Sequence, residues 1–146
     1  MKNGIDRLTD GEVESGVYRL DMSLRPSTIC HRVVARGWAC FYLDGANVFD
    51  KASLLAQLGE AMDFPDYYGQ NWDALEECIT ELSWLGPSAC VLLYDHASVL
   101  AGQHPDVFAT FLDVMQLACE YWSQRSRPFY VLLRNTGELS HPIPTL

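Results

Sequence analysis

The sequence lacks basic residues throughout its central part, where no lysine or arginine occurs between Lys51 and Arg125. Carboxylates occupy the same stretch from Glu60 to Glu120, and the chain of 146 residues has a formal net charge of -9. Because phosphate groups are bound by clustered Lys and Arg, this pattern argues against direct binding to nucleic acid. Solubility alone could explain the charge, so the position of the carboxylates has to decide between solubility and a basic partner.

Long apolar runs are also missing from the sequence. No stretch approaches the roughly 20 consecutive apolar residues that a membrane-spanning helix requires. Residues 1–7 carry charges but are not followed by the apolar segment of a secretory signal. We therefore expect a soluble, cytoplasmic protein that has no membrane partner.

The chain contains an odd number of cysteines, five, and none of them forms a C-x-x-C pair. This pattern indicates neither a disulfide framework nor a zinc site, so we predict reduced, mostly buried thiols. Asp95, His96 and His104 form a loose group without the defined spacing of metal ligands. No nucleophile elbow, H-E-x-x-H helix or Gly-rich phosphate loop occurs. We predict a protein that is not an enzyme and needs no cofactor.

Apolar runs alternate with helical segments, which predicts one α/β domain. Three short apolar runs are typical of buried strands, at residues 38–43, 89–94 and 129–133. Between them we predict a helix capped by Asp50, a helix from Asn71 to about Trp84, and a helix that begins near Pro105. Parallel strands need such crossover connections, so the sequence predicts a three-stranded parallel sheet packed by helices.

The segments at either end of this pattern are less regular. Residues 16–20 could add an edge strand, and residues 26–35 could form a helix that ends before Gly37. Residues 140–144 contain two prolines and are expected to be loose.

One predicted helix is strongly acidic on a single face. When residues 72–84 are placed on a helix, the apolar side chains point inward and the acidic ones point outward. The inward set is Trp72, Leu75, Cys78, Ile79 and Leu82, and the outward set is Asp73, Glu76, Glu77, Thr80 and Glu81. Like charges four residues apart cost about 0.2–0.5 kcal/mol per pair. A solvated face is the common explanation of such a pattern, but a helix built only for stability would usually intersperse lysine.

Two aromatic residues precede this acidic helix. The loop Tyr67-Tyr68-Gly69-Gln70 places tyrosine rings beside the carboxylates, which is a composition typical of protein interfaces. Gly69 would permit an unusual backbone turn at this point. One of the two tyrosines could instead belong to the core, and Tyr68 is the candidate for that role.

The run from Tyr67 to Leu75, YYGQNWDAL, followed by Cys78-Ile79-Thr80, resembles the signature of the barstar family, intracellular inhibitors of the secreted ribonuclease barnase. The order of strands and helices over residues 38–134 resembles that family as well. The resemblance implies a barstar-like domain at residues 38–146, with residues 1–37 as an N-terminal extension.

The resemblance further implies that the loop and the acidic helix occlude the basic active site of a ribonuclease. Tyr67, Gly69, Asn71, Asp73 and Thr80 match contact positions of the family, and Glu77 occupies the position of its central aspartate. The predicted partner-binding residues are Tyr67, Tyr68, Gly69, Asn71, Trp72, Asp73, Glu76, Glu77, Thr80 and Glu81. The implied partner is a basic, extracellular-type ribonuclease, bound as a protein.

Two positions depart from the family pattern. Glu76 replaces a tryptophan that contacts the enzyme, and Leu117 stands where the family carries a supporting glutamate. These departures motivate an alternative, in which the chain is an interaction or immunity module for a different toxin or another basic partner.

Overall fold

Four parallel strands form the central layer of the protein. The computed structural model describes residues 3–65, 68–81 and 89–146. The spatial order of the strands is β1-β4-β3-β2. Their bounds are Gly16–Arg19 (β1), Ala39–Asp44 (β2), Cys90–Asp95 (β3) and Phe129–Leu133 (β4). Every residue of β3 and β4 is buried, as continuous apolar runs in the middle of a parallel sheet require.

The prediction of three strands is wrong by one. The additional strand is β1, which pairs in parallel with β4 from Gly16 opposite Tyr130 to Arg19 opposite Leu133. This strand has only four residues, and two of them are half-exposed. So short a run gives a weak periodic signal, which is why residues 16–20 were predicted only as an optional edge strand.

In the described part of the chain, six α-helices surround the sheet. They are α1 (Gly4–Thr9), α2 (Pro26–Ala35), α3 (Lys51–Ala61), α4 (Trp72–Thr80), α5 (Ser98–Gln103) and α6 (Pro105–Ser123). The short helices α1 and α5 were not predicted, because six residues do not establish a helical period. Helix α4 ends at Thr80 with Glu81 as its C-cap, which is earlier than predicted. Leu82 and Trp84 lie outside the described residues.

The helices cover both faces of the sheet. Leu92 and Tyr94 of β3 pack with α3, α4, α5 and α6 on one face, whereas Val91 and Leu93 pack with α1 and α2 on the other. From β1 the chain crosses the whole sheet to β2, and it then returns through β3 to β4. Right-handed crossovers that run in opposite directions must use opposite faces. This rule places α2 on one side and α4 on the other.

The C-terminal residues are attached to the sheet, so the prediction of a loose tail is wrong. The backbone N–H of Arg19 donates to the carbonyl of Pro144 over 2.8 Å, and that of Leu146 donates to the carbonyl of Arg19 over 2.7 Å. Ile143 packs against the larger core cluster. The two prolines permit this extended pairing, because only some backbone groups of an edge segment need a partner.

The cysteines also differ from the prediction. Cys30 of α2 and Cys40 of β2 form a disulfide, with their Cα atoms 5.4 Å apart. The prediction of reduced thiols is therefore wrong for this pair, whose spacing in the sequence carries no recognisable signal. Cys78, Cys90 and Cys119 are free and buried. Within the described ranges, no helix has the length and apolar character needed to cross a membrane.

Candidate protein-binding site

Helix α4 begins at a well-formed cap. Asn71 is the N-cap, and its side-chain oxygen accepts a hydrogen bond from the backbone N–H of Ala74 over 2.8 Å. Asp73 lies in the first turn, where the positive end of the helix dipole favours a carboxylate. The cap fixes where the helix starts, and therefore which residues face outward.

One side of α4 is anchored in the core. Leu75, Cys78 and Ile79 are buried. The indole Nε1 of Trp122 on α6 donates to the carbonyl of Ile79 over 2.8 Å. The ring of Trp72 packs against the core, and the ammonium of Lys51 lies 5.5 Å from its centroid. Sequence reasoning missed the contribution of Lys51, because nothing in the sequence relates the starts of α3 and α4.

The opposite side of α4 presents carboxylates to solvent. Asp73, Glu76, Glu77 and Glu81 are all exposed. Among the described residues, Asp73, Glu76 and Glu77 form no ion pair. Thr80 is half-exposed, and its hydroxyl donates to the carbonyl of Glu76 over 2.6 Å within the helix. The result is a rigid surface of closely spaced negative charge.

The loop before α4 contributes one tyrosine to the protein interior. The hydroxyl of Tyr68 donates to the carbonyl of Leu55 over 3.0 Å, and its ring meets Phe64 edge-on at 5.0 Å between centroids. Burial raises the pKa of Tyr68, so its hydroxyl stays protonated as a donor. Tyr68 therefore holds the loop in place. Tyr67 lies outside the described residues.

The backbone of this loop turns at Gln70. The φ angle of Gln70 is 51°, in the left-handed region, whereas Gly69 has no positive φ. The unusual turn that was predicted for Gly69 thus falls on the next residue. Gly69 and Asn71 are both exposed beside the carboxylates of α4.

Leu117 lies exposed on α6, with 53% of its surface accessible. Gln116, Glu120 and Ser123 of the same helix line a cavity with Glu14 and Ser15 next to β1. On its buried side α6 packs against α4, where the indole of Trp122 bonds the carbonyl of Ile79. Leu117 thus presents an apolar side chain on the solvent side of α6.

The only thiol of α4, that of Cys78, lies on the buried side of the helix. Burial, reinforced by the nearby charges of Glu77 and Glu81, raises the pKa of the Cys78 thiol, which therefore stays neutral. The described part of the chain contains no group of three His, Cys, Asp or Glu side chains placed to hold a metal ion. Asp95, from the loose group weighed above, is bound to Arg134 instead. What the surface of α4 can do is attract and dock positive charge.

Solved structures with a similar fold include two proteins of unrelated sequence. The Aeropyrum pernix ORC2 protein in its ADP form matches with a TM-score of 0.58 at 15% identity, over 89% of this chain and 38% of that chain. Drosophila ORC bound to GC-rich DNA and Cdc6 matches with a TM-score of 0.56 at 12% identity, over 94% of this chain and 24% of that chain. This chain thus spans well under half the length of either structure. At such identities the likeness shows a shared α/β fold alone.

Sequence comparisons are more specific. A Bacillus subtilis (strain 168) protein named "Putative ribonuclease inhibitor YrdF" is 32% identical over 80 residues, which are 53% of this chain and 82% of that protein. The family model described as Barstar (barnase inhibitor) matches residues 38–134. Because this match covers most of the chain and includes the whole of α4, the protein belongs to the barstar family.

Proposed function

We propose that the chain is a cytoplasmic, stoichiometric inhibitor of a basic, barnase-type ribonuclease, and that it acts by covering the enzyme's active site with α4 and the loop before it. One observation carries the proposal: α4 exposes its carboxylates on one face while its apolar face is fixed in the core. The family and the name of the Bacillus subtilis relative support the same role.

The mechanism is electrostatic occlusion. A ribonuclease that cleaves RNA binds phosphates through cationic side chains, and closely spaced carboxylates can take the place of those phosphates. In our proposal Asp73, Glu76 and Glu77 enter the cationic cleft, because they are exposed and form no ion pair among the described residues. Glu81 and Thr80 lie at the end of the same face. The inhibitor needs no cofactor and no catalytic step, because it works by excluding RNA.

The residues of the loop complete the proposed interface. Gly69 and Asn71 are exposed next to the acidic face, and Trp72 and Tyr68 hold this corner against the core. A preformed corner loses little conformational entropy on binding, which favours tight association. Tyr67 remains a proposed contact on the basis of the family motif. Residues 1–37 remain a proposed addition to the family domain.

The first test is a titration of the purified protein into a barnase-type ribonuclease, with RNA cleavage as the readout. We expect inhibition at one-to-one stoichiometry that weakens when the ionic strength rises from about 10 mM to about 300 mM, because screening shortens the reach of the carboxylates. Asp73→Ala combined with Glu77→Ala should abolish inhibition and leave the fold intact. If the double variant inhibited as well as the parent, the role of α4 would be refuted.

A second candidate function rests on the exposed Leu117. An exposed apolar side chain at the position where the family carries a glutamate suits a partner with an apolar patch, which points to a different toxin or another basic protein. Lack of inhibition of a barnase-type ribonuclease, together with capture of another basic protein from the native host, would favour this alternative.

A further inference from the structure

A polar cleft opens at the carboxyl edge of the sheet, and no residue of α4 lines it. Its volume is about 580 Å³. The walls are the connection between β1 and α2 and the residues that end β3 and β4. After β1 the chain turns towards one face of the sheet, and after β3 it turns towards the other. Ligands of open α/β sheets bind where the chain diverges in this way, outside the carboxyl ends of the strands.

Two buried charges form the floor of the cleft. Arg134 donates from Nε and Nη2 to the two carboxylate oxygens of Asp95, over 2.6 and 2.7 Å. Its Nη1 donates to the carbonyls of Met22 and Leu24, over 2.8 and 2.6 Å. The hydroxyl of Tyr42 adds a hydrogen bond to Asp95 over 3.1 Å. These bonds fix the β1–α2 connection against the sheet, so the cleft is preformed.

The remaining polar side chains of the cleft are available to a ligand. Arg25, Ser23, His96 and Asn135 line it and are exposed. Within the described residues, neither Arg25 nor His96 makes a side-chain hydrogen bond or an ion pair. His96 and Asn135 have φ angles of 53° and 50°; His96 directly follows β3, and Asn135 lies two residues after the end of β4. Left-handed residues other than glycine are uncommon, and they often occur at functional sites.

An apolar compartment continues the cleft at its β2 side. It has a volume of about 510 Å³ and is lined by Pro26, Ser27, Cys30, Arg25 and Tyr42. Arg25, Pro26 and Tyr42 line both spaces, so the two join at a guanidinium, a proline ring and a tyrosine ring. A flat aromatic group fits beside Tyr42 and Pro26, and an anionic group fits next to Arg25.

We propose that this cleft binds a mononucleotide. The base packs against Tyr42 and Pro26, and the phosphate binds Arg25 and His96, which line the same cleft. Asp21, which also lines the cleft, accepts a hydrogen bond from a sugar hydroxyl and disfavours a second phosphate beside it. The site is built from residues of the N-terminal extension together with the ends of the strands, and it lies on the opposite side of the sheet from α4.

The test uses the full chain and three probes, which are 5′-GMP, 5′-AMP and inorganic phosphate, in calorimetric titrations at low ionic strength. We expect saturable binding of at least one nucleotide and binding of inorganic phosphate that is at least about tenfold weaker, because phosphate lacks the ring. Arg25→Gln should weaken nucleotide binding about tenfold or more by removing the cation. Arg32→Gln is the matched control, since Arg32 is an exposed arginine of α2 that does not line the cleft.

A second pair of variants tests the apolar compartment. Tyr42→Phe keeps the ring and should retain most of the affinity for nucleotide, whereas Tyr42→Leu should lose about tenfold by removing the stacking surface. Three results would overturn the proposal: no heat of binding with either nucleotide at millimolar concentration, equal binding of inorganic phosphate, or equal losses in the Arg25 and Arg32 variants. Ribonuclease inhibition should be unchanged in every variant, so this test is independent of the proposed function.

Discussion

Replacing Glu77 by Gln should make the protein more stable and a weaker inhibitor at the same time. Glu77 lies in the middle of the exposed face of α4, with Asp73 four residues before it and Glu81 four residues after it. Each like-charge pair at this spacing costs about 0.2–0.5 kcal/mol, so removing both should stabilise folding by about 0.4–1 kcal/mol. For a chain of this length, that corresponds to a rise of about 1–4 °C in the thermal midpoint.

The effect on binding should have the opposite sign. If Glu77 meets a cation of the ribonuclease in a desolvated cleft, losing its charge leaves that cation unpaired and costs about 2–5 kcal/mol. The affinity should fall at least about 30-fold. Calorimetric unfolding measures the first effect, and inhibition titrated at fixed ionic strength measures the second.

Glu120→Gln provides the matched control for this prediction. Glu120 is an exposed glutamate of α6 on the flank that lines the cavity near β1, and the substitution changes the net charge by the same amount. Its neighbours four residues away are Gln116 and Gln124, so no like-charge pair at that helical spacing is relieved. Equal losses of affinity in the two variants would show that only net charge matters. A Glu77→Gln protein that is less stable than the parent would refute the calculation.

Three further predictions concern stability. Asn71→Ala should lower the free energy of unfolding by about 1 kcal/mol through loss of the α4 cap, whereas Asn71→Ser should stay near the parent in urea unfolding. Arg134→Met should lower the free energy of unfolding by about 3–5 kcal/mol, because it leaves a buried carboxylate unpaired. Arg36→Gln, at the exposed pair with Asp10, should lower it by less than about 1 kcal/mol. Hydrogen bonds from Ser53 lower the pKa of Asp50. The ionised Asp50 therefore stabilises the fold above the ordinary pKa of aspartate, and this stabilisation is lost as the pH falls through the lowered pKa. The difference in thermal midpoint between the parent and Asp50→Ala should accordingly shrink between neutral pH and about pH 2.

Most of the fold could be predicted from local pattern. The strands β2, β3 and β4 and the helices α2, α3 and α6 have apolar spacing or capping residues that identify them in the sequence. What was left open or predicted wrongly depends on contacts between distant segments. Strand β1 is defined by its pairing with β4. The C-terminal segment is ordered by its hydrogen bonds to Arg19. Neither contact leaves a periodic signal in the sequence.

The candidate site shows the same division. The exposed face of α4 follows from helical geometry, so its carboxylates could be assigned to one surface from the sequence. The role of Tyr68 could not be decided, because its hydrogen bond to Leu55 depends on how α3 packs beside the loop. The ion pair between Asp95 and Arg134 could not be predicted either, because it joins the ends of two strands that are neighbours only in the folded sheet.

The topology separates the two surfaces that we assign to ligands. Helix α4 packs on one face of the sheet, and α1 and α2 pack on the other, with the cleft at the carboxyl edge of the sheet. Within the described residues the side chain of Glu77 makes no hydrogen bond or ion pair, whereas Arg134 and Asp95 hold residues 22–24 to the sheet through buried bonds. Changes on α4 can therefore alter the choice of protein partner at little cost in stability, because mutations at distant sites without shared contacts act independently. The cleft should be far less tolerant, since its floor is also the attachment of the N-terminal extension.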